Sequence, residues 1–102
     1  MSEAELKAAI RKMALLNGWL VYEQAQSKAR RPVKGSPSGY PDLTLARYGR
    51  VLWIETKTDT NSLSERQREW FRHLPYDAEH RPLFHVITPG ALKDGTVQEL
   101  LA

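Results

Sequence analysis

The sequence predicts a mixed α/β sandwich built on one central sheet, and three observations lead to it. The chain has 102 residues, enough for one core and too few for two. Hydrophobic residues make up 41% and charged residues 26%, the balance of an ordinary globular domain and not of a disordered or fibrous chain. Apolar periodicity gives the order helix, strand, hairpin, helix, strand, helix, with no repeat or low-complexity segment between them. Alternation of that kind places helices against a shared sheet.

The first helix covers residues 3 to about 17, because Leu6, Ile10, Met13 and Leu16 or Asn17 keep helical spacing. Ser2 caps its start and Gly18 supplies the stop. Trp19 to Tyr22 is rich in aromatic and β-prone residues and reads as a strand. Asp42–Arg47 and Arg50–Thr56 read as two strands joined at Tyr48-Gly49, with glycine where a tight turn needs positive φ. Ser62-Leu63-Ser64-Glu65 opens a second helix that runs to Leu74 and stops before Pro75. Leu83–Thr88 is a further strand closed by Pro89-Gly90, and Thr96–Leu101 forms a short last helix.

Several classes are excluded at this level. No apolar run approaches the ~20 residues of a spanning helix, and Glu3, Glu5, Lys7, Arg11 and Lys12 stand where a signal peptide would be apolar. A cytoplasmic protein without membrane contact is the expectation. The absence of cysteine removes disulfides and cysteine-ligated zinc, and His73, His80 and His85 lack a close ligand spacing. Any metal should be a hard cation, and the histidines are assigned no chemistry.

Net charge is +3, and its placement is more informative than its size. Residues 24 to 41 form one long basic loop containing Pro32, Gly35, Pro37 and Gly39. It carries no acidic residue, while Lys28, Arg30, Arg31 and Lys34 give it +4, which leaves −1 for the rest. Positive charge so concentrated suits a polyanion such as nucleic acid, although a merely solvated loop would look the same. Tyr40, at the end of this loop, is a candidate substrate contact, whereas Trp19, Trp53 and Trp70 fall in periodic segments and read as core.

Register arithmetic on the hairpin locates the chemistry. A two-residue turn at Tyr48-Gly49 sets Arg47 against Arg50 and, continuing outward, Asp42 against Glu55. A four-residue loop would keep these pairs and a three-residue loop would break them. Directly opposed residues hold their Cβ atoms about 4.5–5.5 Å apart on one face, so two carboxylates converge. Lys57 shares that face, with Trp53 and Val51 behind it, while Leu43, Leu45, Leu52 and Ile54 form the opposite, core face. An acid pair repels itself unless a cation lies between the oxygens, and carboxylates without His or Cys select Mg²⁺ or Mn²⁺. The alternative is a strand end where both acids point into water and Lys57 balances them.

On the second helix Leu63, Gln67, Trp70, Phe71 and Leu74 share one stripe, so Gln67 is a polar residue on the packing face. Ser64 and Gln67 make a capping box, and the amide is also placed to reach the carboxylates; both readings are compatible. Glu3 lies on the inward stripe of the first helix and Glu5 to its side. An acid there either reaches the metal cluster or simply complements the helix dipole, and the dipole explanation ranks higher.

These segments together resemble a known family. Gly39-Tyr40-Pro41-Asp42-Leu43, Ile54-Glu55-Thr56-Lys57 and Leu63-Ser64-Glu65-Arg66-Gln67-Arg68-Glu69-Trp70 are similar to the motifs of the VRR-NUC domain, a virus-type replication-repair nuclease branch of the PD-(D/E)xK superfamily. The resemblance runs from about Glu3 to Val86 and includes Gly18-Trp19 after the first helix. It implies a restriction-endonuclease-like αβββαβ core with a mixed four-stranded sheet, within a single domain spanning residues 1–102. It departs from the family at Thr56, where an aliphatic residue is common, and in the long basic loop.

Carried over to this chain, the resemblance implies Asp42, Glu55 and the backbone carbonyl of Thr56 as metal ligands. Lys57 would be the catalytic lysine, Gln67 the helix glutamine that supports it, and Glu3 a further acid with Glu5 as its alternative. The implied activity is a Mg²⁺-dependent DNA endonuclease, with Mn²⁺ able to substitute, leaving 5′-phosphate and 3′-hydroxyl ends. Stand-alone members of this size resemble phage or prophage proteins that dimerise on branched DNA such as four-way (Holliday) junctions. Lys28, Arg30, Arg31 and Lys34 would hold backbone phosphates without reading bases. The rival expectations are a nuclease for flaps or single strands, a non-cutting DNA-binding module of this fold, and an interaction subunit docking an acidic partner.

Overall fold

The fold was read from a computed structural model in which residues 1–24, 39–58 and 63–102 are described. The basic positions Lys28, Arg30, Arg31 and Lys34 lie outside the described residues. The elements run α1 (Glu3–Leu16), β1 (Leu20–Glu23), β2 (Leu43–Arg47), β3 (Arg50–Thr56), α2 (Glu65–His73), β4 (Phe84–Ile87), α3 (Pro89–Lys93) and α4 (Thr96–Leu101). The protein is thus mixed α/β, with one four-stranded sheet in the order β1-β2-β3-β4. β1–β2 and β2–β3 pair antiparallel, while β3–β4 pair parallel across the α2 crossover. No helix among the described residues is long and apolar enough to cross a membrane.

The hairpin has the expected register, pairing Arg47 with Arg50, Leu45 with Leu52 and Leu43 with Ile54. Its turn places both central residues at positive φ, Tyr48 at 49° and Gly49 at 77°, the handedness that matches strand twist. Leu43, Leu45, Leu52 and Ile54 are fully buried, and Leu6, Ile10 and Ala14 of α1 with Val97 and Leu101 of α4 complete that core. α2 covers the other face through Phe71, whose ring meets Phe84 edge-on at 4.9 Å. The result is three layers with the sheet in the middle.

Two expectations are corrected. The α1 stripe passes through Ala14 and not Leu16, which is 79% exposed; at 100° per residue Leu16 lies roughly 120° around the helix from Ile10. Pro89-Gly90 does not merely close β4 but opens α3, with Thr88 extended at its N-cap and Pro89 in the first turn, where a missing N–H costs nothing.

One side chain ties three of these elements together. Arg47 stacks over Trp19 at 4.4 Å and donates to the backbone oxygens of Asn17 at 2.8 Å and Ala102 at 2.7 Å. Trp19 Nε1 donates to the Leu101 oxygen at 3.0 Å. A cation is thereby placed on carbonyls at the C-terminal ends of α1 and α4, where the helix dipoles favour it.

Candidate metal centre

Asp42 follows Pro41 immediately before β2, and its backbone continues the sheet by accepting from Gln24 N–H at 2.9 Å. Its side chain turns toward β3. Oδ2 accepts the Thr56 amide at 2.9 Å and the Thr56 hydroxyl at 2.7 Å. The β2–β3 ladder stops at Leu43–Ile54, so the Thr56 N–H has run out of backbone partner and the aspartate replaces it. In an extended strand the N–H and C=O of one residue leave by the same edge. The Thr56 carbonyl therefore lies on the edge that Asp42 faces.

Glu55 projects from β3 onto the α2 face and is buried, at 4% exposure. Its Oε1 accepts from Gln67 Nε2 at 2.9 Å. Its Oε2 is buried and has no hydrogen-bond partner among the described residues. Burial pushes the Glu55 carboxyl up to about 8, the Asp42 charge beside it adds to the rise, and the Lys57 ammonium pulls the other way. Lys57 is half-buried and its N–H is fixed to the Ile87 oxygen at 3.0 Å, an extension of the parallel ladder.

Gln67 performs both roles expected of it. Its Oε1 accepts the Ser64 N–H at 2.8 Å and its N–H donates to Ser64 Oγ at 3.2 Å, completing the α2 capping box, while Nε2 is spent on Glu55. The amide expected to support Lys57 bonds the neighbouring Glu55 carboxyl. A helix stripe fixes the face that Gln67 presents but not which polar atom it meets, and the atom met is the glutamate.

A tight backbone contact holds the two halves of the site together. Gly39 has φ +82°, and a Cβ there would fall 2.7 Å from both C and Cβ of Arg66 in α2. Only glycine allows this approach. Tyr40 then braces the same junction, accepting from Trp53 Nε1 at 3.2 Å, bonding Thr44 Oγ1 at 3.0 Å and meeting Trp70 edge-on at 5.0 Å. Its hydroxyl is thus engaged by side chains of the sheet. Of the tryptophans, Trp19 is buried in the core as expected, whereas Trp53 is half-buried beneath α2.

Among the described residues, no group of three or more His, Asp and Glu side chains is arranged around a common centre. Glu3 is exposed at the start of α1 and does not join Asp42 and Glu55, and Glu5 accepts the Ser2 N–H at 3.1 Å in the α1 capping box. The cap and dipole account of these acids is the one that describes them. The Thr56 hydroxyl went unrecognised in the sequence, although a threonine on the core face at a strand end signals a polar atom in need of a partner.

The donor set fits a hard divalent cation. Asp42 and Glu55 lie side by side with the Thr56 carbonyl edge next to Asp42, and Glu55 Oε2, which has no hydrogen-bond partner among the described residues, is an oxygen that a cation would satisfy in place of the proton that burial favours. Compared with known proteins, the chain matches no family model, no curated protein and no solved structure.

Proposed function

We propose that this protein is a divalent-metal-dependent DNA endonuclease of the VRR-NUC type, with the αβββ core and the α2–β4 crossover forming its restriction-endonuclease-like scaffold. The observation that carries the reading is the buried Glu55, one of whose oxygens has no hydrogen-bond partner among the described residues, close enough to Asp42 and Lys57 for both charges to act on it. An ionised carboxylate buried beside another acid is costly, and it relieves that cost by taking up a proton or, when one is available, a cation.

Asp42, Glu55 and the Thr56 carbonyl would hold Mg²⁺, or Mn²⁺ in its place. The ion, when bound, supplies Lewis-acid polarisation of the scissile phosphate and a water of lowered pKa. Lys57 orients the attacking water or offsets negative charge gathering on the phosphoryl oxygens. Gln67 fixes the Glu55 carboxylate from the side away from its orphaned oxygen. Lys28, Arg30, Arg31 and Lys34 supply contacts to backbone phosphates, and four such contacts on duplex DNA give a salt slope of about −3.6. Branched DNA such as a four-way junction is the proposed substrate. Symmetric cutting of two strands requires two sites, hence a homodimer with a twofold axis.

The test is cleavage of labelled four-way junction, flap, linear duplex and single-stranded DNA with Mg²⁺, Mn²⁺ or EDTA, beside Asp42→Ala. Metal-dependent cutting that the variant loses, strongest on the junction, is the expected result. Equal cutting by Asp42→Ala at saturating Mg²⁺ would overturn the site. Salt-dependent DNA binding without cutting would indicate a non-catalytic module, and strongest cutting of flaps or single strands would reassign the substrate.

A further inference from the structure

We infer that the Thr56 hydroxyl is a positioning group for Asp42, one that assigns Oδ2 to the protein and presents Oδ1 to a divalent cation. The inference rests on the metal-site reading above and specifies how that site is built in this chain.

Both Thr56 bonds fall on the same oxygen, the amide at 2.9 Å and the hydroxyl at 2.7 Å. Two donors occupy the two lone-pair directions of Oδ2, so a cation approaching Asp42 meets Oδ1. The backbone bond would be made by any residue at this position. The hydroxyl bond would not, and a side chain of valine shape would leave Asp42 tethered by one donor and able to rotate about it.

Burial makes the hydroxyl effective. Thr56 is 2% exposed, so water does not compete for the bond, and β-branching restricts the rotamer that aims the hydroxyl. Asp42 itself is only half-buried and precedes β2, where no strand ladder fixes its side chain. Thr56, by contrast, is held on both sides, by its place opposite Ile87 of β4 and by the core beneath it. The buried residue orients the half-buried one. Groups that orient a ligand without touching the metal commonly change affinity by 10- to 100-fold when removed.

The experiment compares full-length wild type, Thr56→Val and Thr56→Ser by Mn²⁺ titration calorimetry and by the Mg²⁺ concentration that half-saturates junction cleavage. Valine keeps the shape and removes the donor; serine keeps the donor. The expected result is Mn²⁺ affinity about tenfold weaker in Thr56→Val, a matching rise in the half-saturating Mg²⁺ concentration, and recovery of Mn²⁺ affinity to within about threefold of wild type in Thr56→Ser. Should Thr56→Val fail to fold, as judged by circular dichroism, Thr56→Ala replaces it against the same serine variant. Wild-type Mn²⁺ affinity in a folded variant without the hydroxyl would overturn the inference and leave the metal site standing. Absence of Mn²⁺ binding by wild type would overturn the metal-site reading itself.

Discussion

Gln67 and Glu55 meet side chain to side chain, the glutamine amide of α2 donating to one carboxylate oxygen of β3 at 2.9 Å. The glutamine is itself immobilised, because its own oxygen holds the Ser64 N–H. One residue therefore terminates a helix and orients an acid in the neighbouring layer. These two roles separate by mutation. Gln67→Leu should weaken Mn²⁺ binding by about tenfold and lower stability by about 1 kcal/mol through the damaged cap. Ser64→Ala should produce a similar stability loss with Mn²⁺ affinity near wild type. Calorimetry and thermal melts on the two variants check both halves, and equal metal affinity in Gln67→Leu would contradict the orienting role.

Glu55 gives the metal-free protein a defined pH dependence. Its carboxyl stands at about 8 in the fold against an ordinary 4.5. Between those values the folded chain keeps a proton that the unfolded chain has released, so stability falls as pH rises toward 8 and then levels. His85 acts at the other end. Burial and the Arg50 charge hold it below its ordinary 6.5, so its stabilising effect is lost as pH falls below that value. Melts in EDTA from pH 6.5 to 8.5 isolate Glu55: Tm should decline in wild type and stay flat in Glu55→Gln. Each 1 kcal/mol corresponds to about 4–8 °C in a domain of this size. Saturating Mg²⁺ should abolish the decline, since the cation replaces the proton.

The hairpin turn holds removable strain. Tyr48 adopts φ 49° while 98% exposed, so its side chain gains little beyond a loose approach to the Arg47 guanidinium at 5.8 Å in return for a conformation that costs an L-residue roughly 1 kcal/mol. Asparagine tolerates this region and Asn-Gly is the preferred pair for such turns. Tyr48→Asn should raise stability by about 0.5–1 kcal/mol, measured by urea unfolding, without altering cleavage.

Arg47 should be among the most sensitive surface-proximal positions. Its guanidinium stacks over Trp19 and donates to three backbone oxygens, those of Asn17, Leu101 and Ala102. Lysine cannot reproduce that fork. Arg47→Lys is expected to destabilise by about 1–2 kcal/mol and Arg47→Ala by about 2–4 kcal/mol in urea unfolding, with metal affinity preserved because the cluster lies at the other end of β2.

The hairpin was readable in advance because strand parity is discrete. Once Tyr48-Gly49 is the turn, period two alone pairs Leu43 with Ile54 on the core face; the expected next pair, Asp42 with Glu55, lies beyond the end of the ladder, where Asp42 bonds Thr56 instead. The Gln67 stripe was readable for the analogous helical reason. Three features were not. The partner of Gln67 depends on how far α2 slides over the sheet, which spacing does not determine. Arg47 reaches the C-terminal end of α4, a contact between residues remote in sequence. Thr56 reads as a strand residue of ordinary β propensity, and its two bonds to Asp42 follow from where the neighbouring ladder stops.

The two helical layers differ in depth of attachment. α1 and α4 each place fully buried side chains in the core, whereas α2 contains no fully buried residue. Its hold on the sheet is a stripe of half-buried contacts, and stability within a fold follows such differences. In native-state hydrogen exchange the α2 amides should open at lower free energy than those of β3. The Asp42–Thr56 pair, carried by the sheet and its approach, would outlast such an opening, while Glu55 would lose the glutamine that orients it. Lifting one helix would thus dismantle half of the carboxylate cluster while leaving the sheet and its core intact, far short of global unfolding.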